Sequence, residues 1–284
     1  MSFCIVHLSD PHFGIHADLR QIRAVEDLVP DLDPRLIVLT GDLTHRARHG
    51  EFQAARAFVR ELERSAPVHV VPGNHDVQWW RRPLVPFRPH AKYERYTQYF
   101  GPVLAPTTDC PEALVVSALT SHGLAWGSLT LQARDLAVKG YLGAQEGTRI
   151  RDTFAEAKPG QARVLVLHHN VLRGMLTQRM GLAHWQRAQQ RVSASGAELI
   201  LCGHDHHHNA NLLGGRIVIS CVGTVSSLLR GDYAPAFHRI MIDDESITME
   251  QYSWEAEHGR FKRSDVHHFA RPGVHEAQAI AAAS

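Results

Sequence analysis

The sequence has little of what marks secreted or membrane-spanning proteins. Its cysteines are few and scattered, with no CxxC pair: Cys4, Cys110, Cys202 and Cys221. This usage predicts no disulfide framework and favours a reducing compartment. No apolar stretch reaches the length of a membrane span, and no charged n-region followed by an apolar h-region opens the chain. We therefore expect a cytoplasmic protein with no membrane partner.

Excess charge of either sign is also missing. Thirty Lys and Arg residues against 29 Asp and Glu residues give a formal net charge of +1. This balance gives no general attraction to nucleic acid or to an anionic membrane, so the sequence does not favour a nucleic-acid partner. The 284 residues, 44% of them hydrophobic, suit one large α/β domain or two small ones.

Histidine is abundant instead, with 21 residues, and several of them lie in short polar motifs. A single histidine is most often an ordinary surface or core residue, but these motifs form an ordered set. The five motifs are Asp10-Pro11-His12, Gly41-Asp42, Gly73-Asn74-His75-Asp76, His168-His169-Asn170 and Gly203-His204-Asp205-His206. Each supplies oxygen or imidazole nitrogen atoms that can bind metal ions.

A run of apolar, often β-branched residues precedes each motif. The runs are Phe3–Val6, Leu36–Leu39, Val68–Val71, Val164–Leu167 and Leu199–Cys202. Buried parallel strands have such continuous apolar runs, and ligands bind at the carboxyl ends of these strands. The sequence therefore predicts five strands that deliver polar side chains to one rim, where a two-metal site could form.

Helical spacing of apolar residues between the strands predicts an α/β core. The predicted helices lie near 18–29, 51–64, 90–100, 145–157 and 184–194. Residues 77–112, rich in proline and aromatic residues, interrupt the alternation and are interpreted as an insertion near the site rim. Hairpin strands are expected at 216–222, 236–242 and 246–252, followed by a polar, frayed tail over 258–284.

The motif order DxH, GD, GNHD, H and GHxH resembles that of the calcineurin-like metallophosphoesterase superfamily, over roughly residues 1–255. The resemblance implies an α/β fold, a four-layer αββα sandwich with mixed sheets and helices on the outer faces. It places this domain at 1–257, with 258–284 as a C-terminal tail.

The resemblance also implies a dinuclear centre. By position, Asp10, His12 and His206 would bind one metal ion, Asn74, His168 and His204 the other, and Asp42 would bridge both. Oxygen and imidazole ligands without a thiolate favour two divalent ions of manganese, iron or zinc. A bound water would ionise near neutral pH and supply a metal-bound hydroxide as the nucleophile.

Other motif residues receive roles around this centre. The resemblance implies that His75 contacts the phosphoryl group and protonates the leaving oxygen, with Asp76 fixing its tautomer. His169 is expected to support the rim or face the substrate. Trp79 and Arg81 either stack on a base and hold phosphate, or anchor the insertion by packing.

Flanking residues resemble the bacterial class III cyclic-nucleotide phosphodiesterase branch. They are Gly41–Thr44 with Glu51 and Phe52, the stretch 195–204, Gly223-Thr224, Arg230-Gly231 and Phe237. The expected function is hydrolysis of small nucleotide-like phosphodiesters such as cyclic nucleotides. A phosphomonoesterase, a DNA-processing nuclease and a non-catalytic scaffold of the same fold remain the alternatives.

Overall fold

The computed structural model describes residues 2–78, 91–123, 138–175, 178–226 and 233–272. Trp79 and Arg81, the two candidate substrate residues of the insertion, lie outside these described residues. Within them, no helix combines the length and the apolar character needed to cross a membrane.

Strands and helices alternate along most of the described chain. The strands are β1 Phe3–Leu8, β2 Leu36–Leu39, β3 Val68–Val70, β4 Thr107–Asp109, β5 Ala113–Ser117, β6 Ala162–Val166, β7 Leu199–Cys202, β8 Asn209–Leu213, β9 Ile217–Cys221, β10 Ala236–Ile242, β11 Ser246–Glu255 and β12 Arg260–Ala270. The α-helices are α1 Leu19–Leu28, α2 His49–Leu62, α3 Glu94–Phe100, α4 Ala144–Ala155 and α5 Trp185–Ser193. Short 3-10 helices cover Val29–Leu32, Asn74–Asp76 and Ala91–Tyr93. Each of the five predicted helices thus has a counterpart.

The strands form two mixed sheets of six strands each. The first has the order β12-β11-β10-β1-β2-β3, and the second has the order β4-β5-β6-β7-β9-β8. In the first sheet β1, β2 and β3 are parallel, and β10 joins β1 in the antiparallel sense. In the second sheet β5, β6, β7 and β9 are parallel, and β4 and β8 are antiparallel edges.

Three apolar clusters hold these sheets in four layers. Between the sheets, Ile5 and Val38 of the first pack with Val164 and Leu201 of the second. Helices α1 and α2 cover the outer face of the first sheet, and α4 and α5 cover the outer face of the second. Both faces of the central strands are therefore buried, which explains their continuous apolar runs. The predicted αββα sandwich is confirmed.

The five motif strands divide between the two sheets. β1, β2 and β3 belong to the first sheet, whereas β6 and β7 belong to the second. The carboxyl ends of the two sets of strands still meet. His168 follows β6 and Thr40 follows β2, and the Nδ1–H of His168 donates to the Thr40 carbonyl at 2.7 Å. The rim is therefore built from two facing sheets.

The predicted frayed tail is wrong for residues 260–270, because β12 pairs with β11 along ten residue pairs and extends the first sheet past residue 257. Phe261 is buried against Phe237 and Trp254. Arg271, just beyond the strand, donates to the Glu198 carboxylate at 3.3 Å, and its side chain is buried. Most residues of β12 are polar and exposed, so the strand has no apolar run that would predict it from the sequence.

A buried histidine joins the edges of the two sheets. His69 of β3 bonds through Nδ1 to the hydroxyl of Thr108 at 2.8 Å and through Nε2 to the hydroxyl of Ser117. Burial lowers the pKa of His69 to about 4, because a charged ring would lose its hydration there. The folded protein therefore keeps this ring neutral over most of the accessible pH range.

We expect His69 to make the fold sensitive to mild acid. Above pH 6.5 the ring is neutral in both states, but between pH 6.5 and 4 only the unfolded chain takes up the proton. The free energy of unfolding should then fall by about 1.4 kcal/mol per pH unit, about 3 kcal/mol in all. Urea unfolding of chelator-treated protein at several pH values should show that the free energy of unfolding falls less steeply with decreasing pH in His69→Gln than in wild type. Equal slopes for wild type and His69→Gln would contradict this, and exposed His258→Gln is the control.

Candidate metal centre

Strained backbone turns bring the motif side chains together after their strands. Five of the seven predicted ligands have left-handed backbone conformations: Asp10 (φ 52°), His12 (φ 46°), Asp42 (φ 48°), His204 (φ 72°) and His206 (φ 57°). Such conformations are rare for residues with a Cβ atom and cluster at functional sites, where the surrounding structure holds them in place.

Two motif glycines allow the rim segments to approach each other. A Cβ atom on Gly73 would overlap the backbone nitrogen and the carboxylate of Asp42. A Cβ atom on Gly203 would overlap the Ser9 hydroxyl and crowd the Asp10 carboxylate. The glycines of GNHD and GHxH are therefore required by close packing against the DxH and GD turns.

Asp10, His12 and His206 form the first group of candidate ligands. The Nε2 atoms of His12 and His206 lie 3.1 Å apart, and their rings stack at 4.8 Å. Oδ1 of Asp10 lies 3.3 Å from Nε2 of His206 and 3.6 Å from Nε2 of His12. Its other oxygen, Oδ2, accepts the backbone N–H of His204 at 3.2 Å and the hydroxyl of Ser9.

Asn74, His168 and His204 form the second group. Oδ1 of Asn74 lies 3.1 Å from Nε2 of His168 and 3.0 Å from Nδ1 of His204. These two ring nitrogens lie 3.3 Å apart. Because the Thr40 carbonyl can only accept, Nδ1 of His168 carries a hydrogen and Nε2 is the atom that faces the group. Burial opposes the charge on this ring, but the Asp42 and Asp10 carboxylates raise the pKa of His168 to about 9, so a cation bound at Nε2 would replace a proton there.

The Asp42 carboxylate lies between the two groups. Its Oδ2 atom is 3.8 Å from Nε2 of His12 and 3.4 Å from Nε2 of His168. Its Oδ1 atom accepts the backbone N–H of His75 at 2.8 Å. The side chain is 1% exposed, so the carboxylate is committed to these contacts rather than to solvent.

The spacing of these atoms fits divalent cations. Two ligand atoms about 2.1 Å from one ion lie about 3.0–3.4 Å apart at octahedral and tetrahedral angles. The second group has separations of 3.0, 3.1 and 3.3 Å. Oδ1 of Asp10 is buried, and the part of the chain that the structure describes offers it no hydrogen-bond donor, as expected for an oxygen reserved for a cation. The residues present therefore fit a pair of divalent ions.

Electrostatics in the pocket favour ionised carboxylates. Burial opposes the charge on Asp42, but the facing His168 and His75 hold its pKa well below the usual range. Burial likewise opposes the charge on Asp10, whose pKa is lowered by His206 and His12. Burial and the nearby His168 lower the pKa of His204 to about 4, so its ring is neutral and able to bind a metal ion.

His75 lies beside the centre, but Asp76 does not orient it as predicted. Nδ1 of His75 donates to the carbonyl of His45 at 2.8 Å. The Asp76 carboxylate instead accepts from the backbone N–H groups of Leu43, Thr44 and Gly73 and from the Thr44 hydroxyl. Asp76 therefore ties the GD and GNHD turns together, and the His45 carbonyl sets the tautomer of His75.

His169 is buried behind the centre. Its Nδ1 bonds to the Thr120 hydroxyl at 2.9 Å, its Nε2 donates to the Val138 carbonyl at 2.9 Å, and its exposure is 0%. Its ring packs 4.5 Å from that of His204. The prediction that His169 contacts substrate does not agree with this burial; the residue supports the rim by holding His204.

Sequence reasoning missed His45, which follows the GD motif by three residues. Its ring stacks on that of His75 with centroids 5.8 Å apart, and that of His16 meets it edge-on at 4.9 Å. One ring nitrogen each of His12, His45 and His75 lies within 4.8 Å of the others. The excess of histidine was a usable signal, but only the loop packing brings His16 and His45 to the rim.

The sequence matches one known family. The match is to the calcineurin-like phosphoesterases and covers residues 4–208, well over half of the chain. A sequence search of curated proteins finds no match.

Solved structures show the same fold at low sequence identity. A dimetal phosphatase from Danio rerio is 14% identical with a TM-score of 0.66, covering 95% of this chain and 99% of that chain. Purple acid phosphatase PPD1 from yellow lupin is 13% identical with a TM-score of 0.65, covering 96% of this chain and 54% of that chain. GAP50 of Plasmodium, the anchor in the inner membrane complex, is 10% identical with a TM-score of 0.65, covering 99% and 94%.

Proposed function

Because the chain belongs to the calcineurin-like phosphoesterase family, we propose that it is a dinuclear metal-dependent phosphodiesterase acting on small nucleotide-like esters, with cyclic nucleotides as the first candidates. Asp10, His12 and His206 would hold one divalent ion, Asn74, His168 and His204 would hold the second, and Asp42 would be shared between them. Manganese, iron and zinc are the candidate metals. We place the enzyme in the cytoplasm, in keeping with its four free cysteines.

The position of Asp42 carries this proposal. One carboxylate oxygen faces imidazole nitrogens of both groups, at 3.8 and 3.4 Å. A carboxylate shared in this way can hold two cations close together, the arrangement of two-metal phosphoester hydrolysis. The diester preference is supported by the sequence resemblance of the flanking segments.

These residues would hold two divalent ions, which when bound would activate the attacking water and offset the charge on the phosphoryl oxygens. The protein's own groups fix the ligands for that task. The Thr40 carbonyl holds His168 in the tautomer whose Nε2 is a ligand, and Ser9 and the N–H of His204 occupy one oxygen of Asp10. These outer contacts keep each ligand atom aimed into the centre.

His75 donates the proton to the leaving oxygen in this proposal. Its Nδ1 hydrogen is held by the His45 carbonyl, so the proton that leaves must come from Nε2 of the doubly protonated ring, which becomes the neutral Nδ1–H tautomer after the transfer. Nε2 lies 4.0 Å from Oδ2 of Asp42, and about a third of the side chain is exposed. The ring therefore presents Nε2 at the open side of the centre, where a substrate can reach it.

A substrate panel on metal-loaded protein tests the proposal. We expect kcat/KM for an aryl phosphodiester and a cyclic nucleotide to exceed that for an aryl phosphomonoester by at least about tenfold, equivalent to about 1.4 kcal/mol. Preference for the monoester would replace the proposal by the phosphatase alternative, the activity named for the zebrafish and lupin proteins. Salt-sensitive cleavage of single-stranded DNA, with no turnover of mononucleotides, would favour a nuclease. No turnover of any substrate after loading with Mn²⁺, Fe²⁺ or Zn²⁺ would favour a scaffold.

A further inference from the structure

We propose that His7, a buried histidine of β1, is a positioning residue for the second metal ion. It acts through Thr40, whose backbone carbonyl accepts from Nδ1 of His168 and so orients that ring. The role rests on the proposed function, because it concerns the affinity for one of the two ions. His7 itself offers no ligand atom to the centre, since both of its ring nitrogens are held by hydroxyl groups.

Four buried side chains form a continuous hydrogen-bond chain between the two sheets. Nδ1 of His238 bonds to the hydroxyl of Ser220 at 2.8 Å, and the same hydroxyl bonds to Nδ1 of His7 at 2.7 Å. Nε2 of His7 then bonds to the hydroxyl of Thr40 at 3.1 Å. All four residues have an exposure of 0%, so these contacts are shielded from solvent. The chain ends at the residue whose carbonyl accepts from His168.

Strand pairing explains why these side chains meet. His7 of β1 and His238 of β10 lie directly opposite each other in the first sheet. Ser220 of β9 lies in the second sheet, and its hydroxyl reaches both rings. The chain therefore spans the two sheets close to the rim, where the bond from His168 to Thr40 spans them as well.

The contacts also fix the direction of the hydrogen bonds. The Thr40 hydroxyl donates to the Leu8 carbonyl at 3.4 Å, so Nε2 of His7 carries a hydrogen and donates to Thr40. Nδ1 of His7 then accepts from the Ser220 hydroxyl, which accepts in turn from Nδ1–H of His238. This order needs neutral rings. Burial supplies that condition, because it lowers the pKa of His7 well below its usual range and the pKa of His238 to about 3.

Thr40 connects this chain to the metal centre. Its N–H donates to the Leu8 carbonyl at 3.0 Å, and its hydroxyl accepts from His7. The next residue, Gly41, has a φ of 93°, and a Cβ atom there would crowd Nδ1 of His168. The peptide between Thr40 and Gly41 therefore packs against the His168 ring. Because a rotation of this peptide would turn the carbonyl away from Nδ1, a fixed Thr40 side chain helps to keep the ring in place.

Loss of the His7 contact should weaken the second ion in particular. Nε2 of His168 lies 3.1 Å from Oδ1 of Asn74 and 3.3 Å from Nδ1 of His204, so a tilted ring displaces one of three neighbouring ligand atoms. Removal of a hydrogen-bond partner behind a metal ligand typically lowers metal affinity by about 10–100-fold. Because His7 acts through Thr40, we expect the lower end of this range.

Two substitutions of His7 that differ by one methylene group test this role. The amide of asparagine reaches the place of Nδ1, next to Ser220, whereas the amide of glutamine reaches the place of Nε2, next to Thr40. We expect His7→Asn to raise the dissociation constant of the second Mn²⁺ by about tenfold, and His7→Gln to stay within about threefold of wild type. Calorimetric titration of chelator-treated protein measures the binding of both ions.

His69→Asn is the matched control, because His69 is another buried histidine that joins the two sheets through hydroxyl groups. It should lose stability in urea unfolding and still bind both ions with wild-type affinity. An equal rise of the second dissociation constant in His7→Asn and His69→Asn, or no rise in His7→Asn, would overturn the proposal. If His7→Asn does not fold, Thr40→Val and Thr40→Ser decide, because only the serine variant keeps the hydroxyl and should keep the affinity.

The hydrogen on Nδ1 of His168 gives a readout that needs no bound metal. In chelator-treated protein with isotope-labelled histidine, NMR should show that this hydrogen exchanges with solvent at least about tenfold faster in His7→Asn than in wild type, His7→Gln or His69→Asn. Equal exchange rates in His7→Asn and wild type would refute the positioning role. If wild type binds fewer than two ions, the proposed function fails, while the exchange rate still decides whether His7 positions His168.

Discussion

Replacing Asp42 by alanine is expected to lower kcat/KM by about 10³-fold or more and to reduce bound metal from two equivalents to at most one. Its Oδ2 atom faces Nε2 of His12 on one side and Nε2 of His168 on the other, so neither group of ligands is complete without it. The remaining residues of the first group supply one carboxylate, and those of the second supply none. A cation at the second group would then have only neutral protein ligands.

Elemental analysis after dialysis, together with kinetics at saturating Mn²⁺, measures both effects. Asp42→Asn keeps an oxygen that can accept the His75 N–H, seen at 2.8 Å, and removes only the charge and one oxygen. Asp42→Asn should lose metal nearly as fully as Asp42→Ala. Because the asparagine keeps the contact that positions the His75 loop, metal loss in this variant would be due to the lost bridging carboxylate and not to a displaced loop. Asp109→Asn, at a half-exposed carboxylate that is paired with Lys158, should behave as wild type. Full metal content and full activity in either Asp42 variant would refute the bridging role.

The sequence predicted the central strands and most of the rim because both depend on local signals. Strands buried on both faces need continuous apolar residues, and β1, β2, β6 and β7 have them. The turns that follow need polar ligands and closely packed glycines, which gives short recognisable motifs. The seven predicted ligands therefore came together in space as one set.

Sequence reasoning failed where partners are distant or where a strand has no apolar face. β12 is held by pairing with β11 and by the buried Arg271 contact with Glu198, neither of which leaves a local pattern. The division of the motif strands between two sheets could come only from the resemblance, because a parallel strand looks the same in either sheet.

Asp76 shows the same limit within a motif. Adjacency in sequence suggested that Asp76 contacts His75. The Asp76 carboxylate instead accepts from backbone N–H groups of the turn after β2, more than thirty residues earlier. Burial and the nearby Asp42 raise the pKa of Asp76 to about 6, and the backbone N–H groups of Gly73 and Leu43 oppose that shift. Its contribution is to the geometry of the rim, through contacts that adjacency in sequence does not reveal.

His75→Ala gives the second large effect that we expect, and its size should depend on the leaving group. For an alkyl or ribose ester, whose leaving oxygen needs a proton, kcat should fall by about 10²–10⁴-fold. For a nitrophenyl ester, whose leaving oxygen departs as a stable anion, the fall should be less than about tenfold. The contrast follows from Nε2 being the free nitrogen of a ring whose Nδ1 is held by the His45 carbonyl.

A merely structural role would lower both rates equally, so the ratio of the two rates is the measurement that decides. His75 is about one-third exposed, and water can replace its bond to the His45 carbonyl, so the variant should fold and retain two metal equivalents. His184→Ala, at an exposed histidine beside α5, is the matched control for loss of one imidazole. An equal loss of kcat for both esters would show that His75 is not the proton donor. His75 would then be a residue that positions the phosphoryl group, and a water molecule would have to protonate the leaving oxygen.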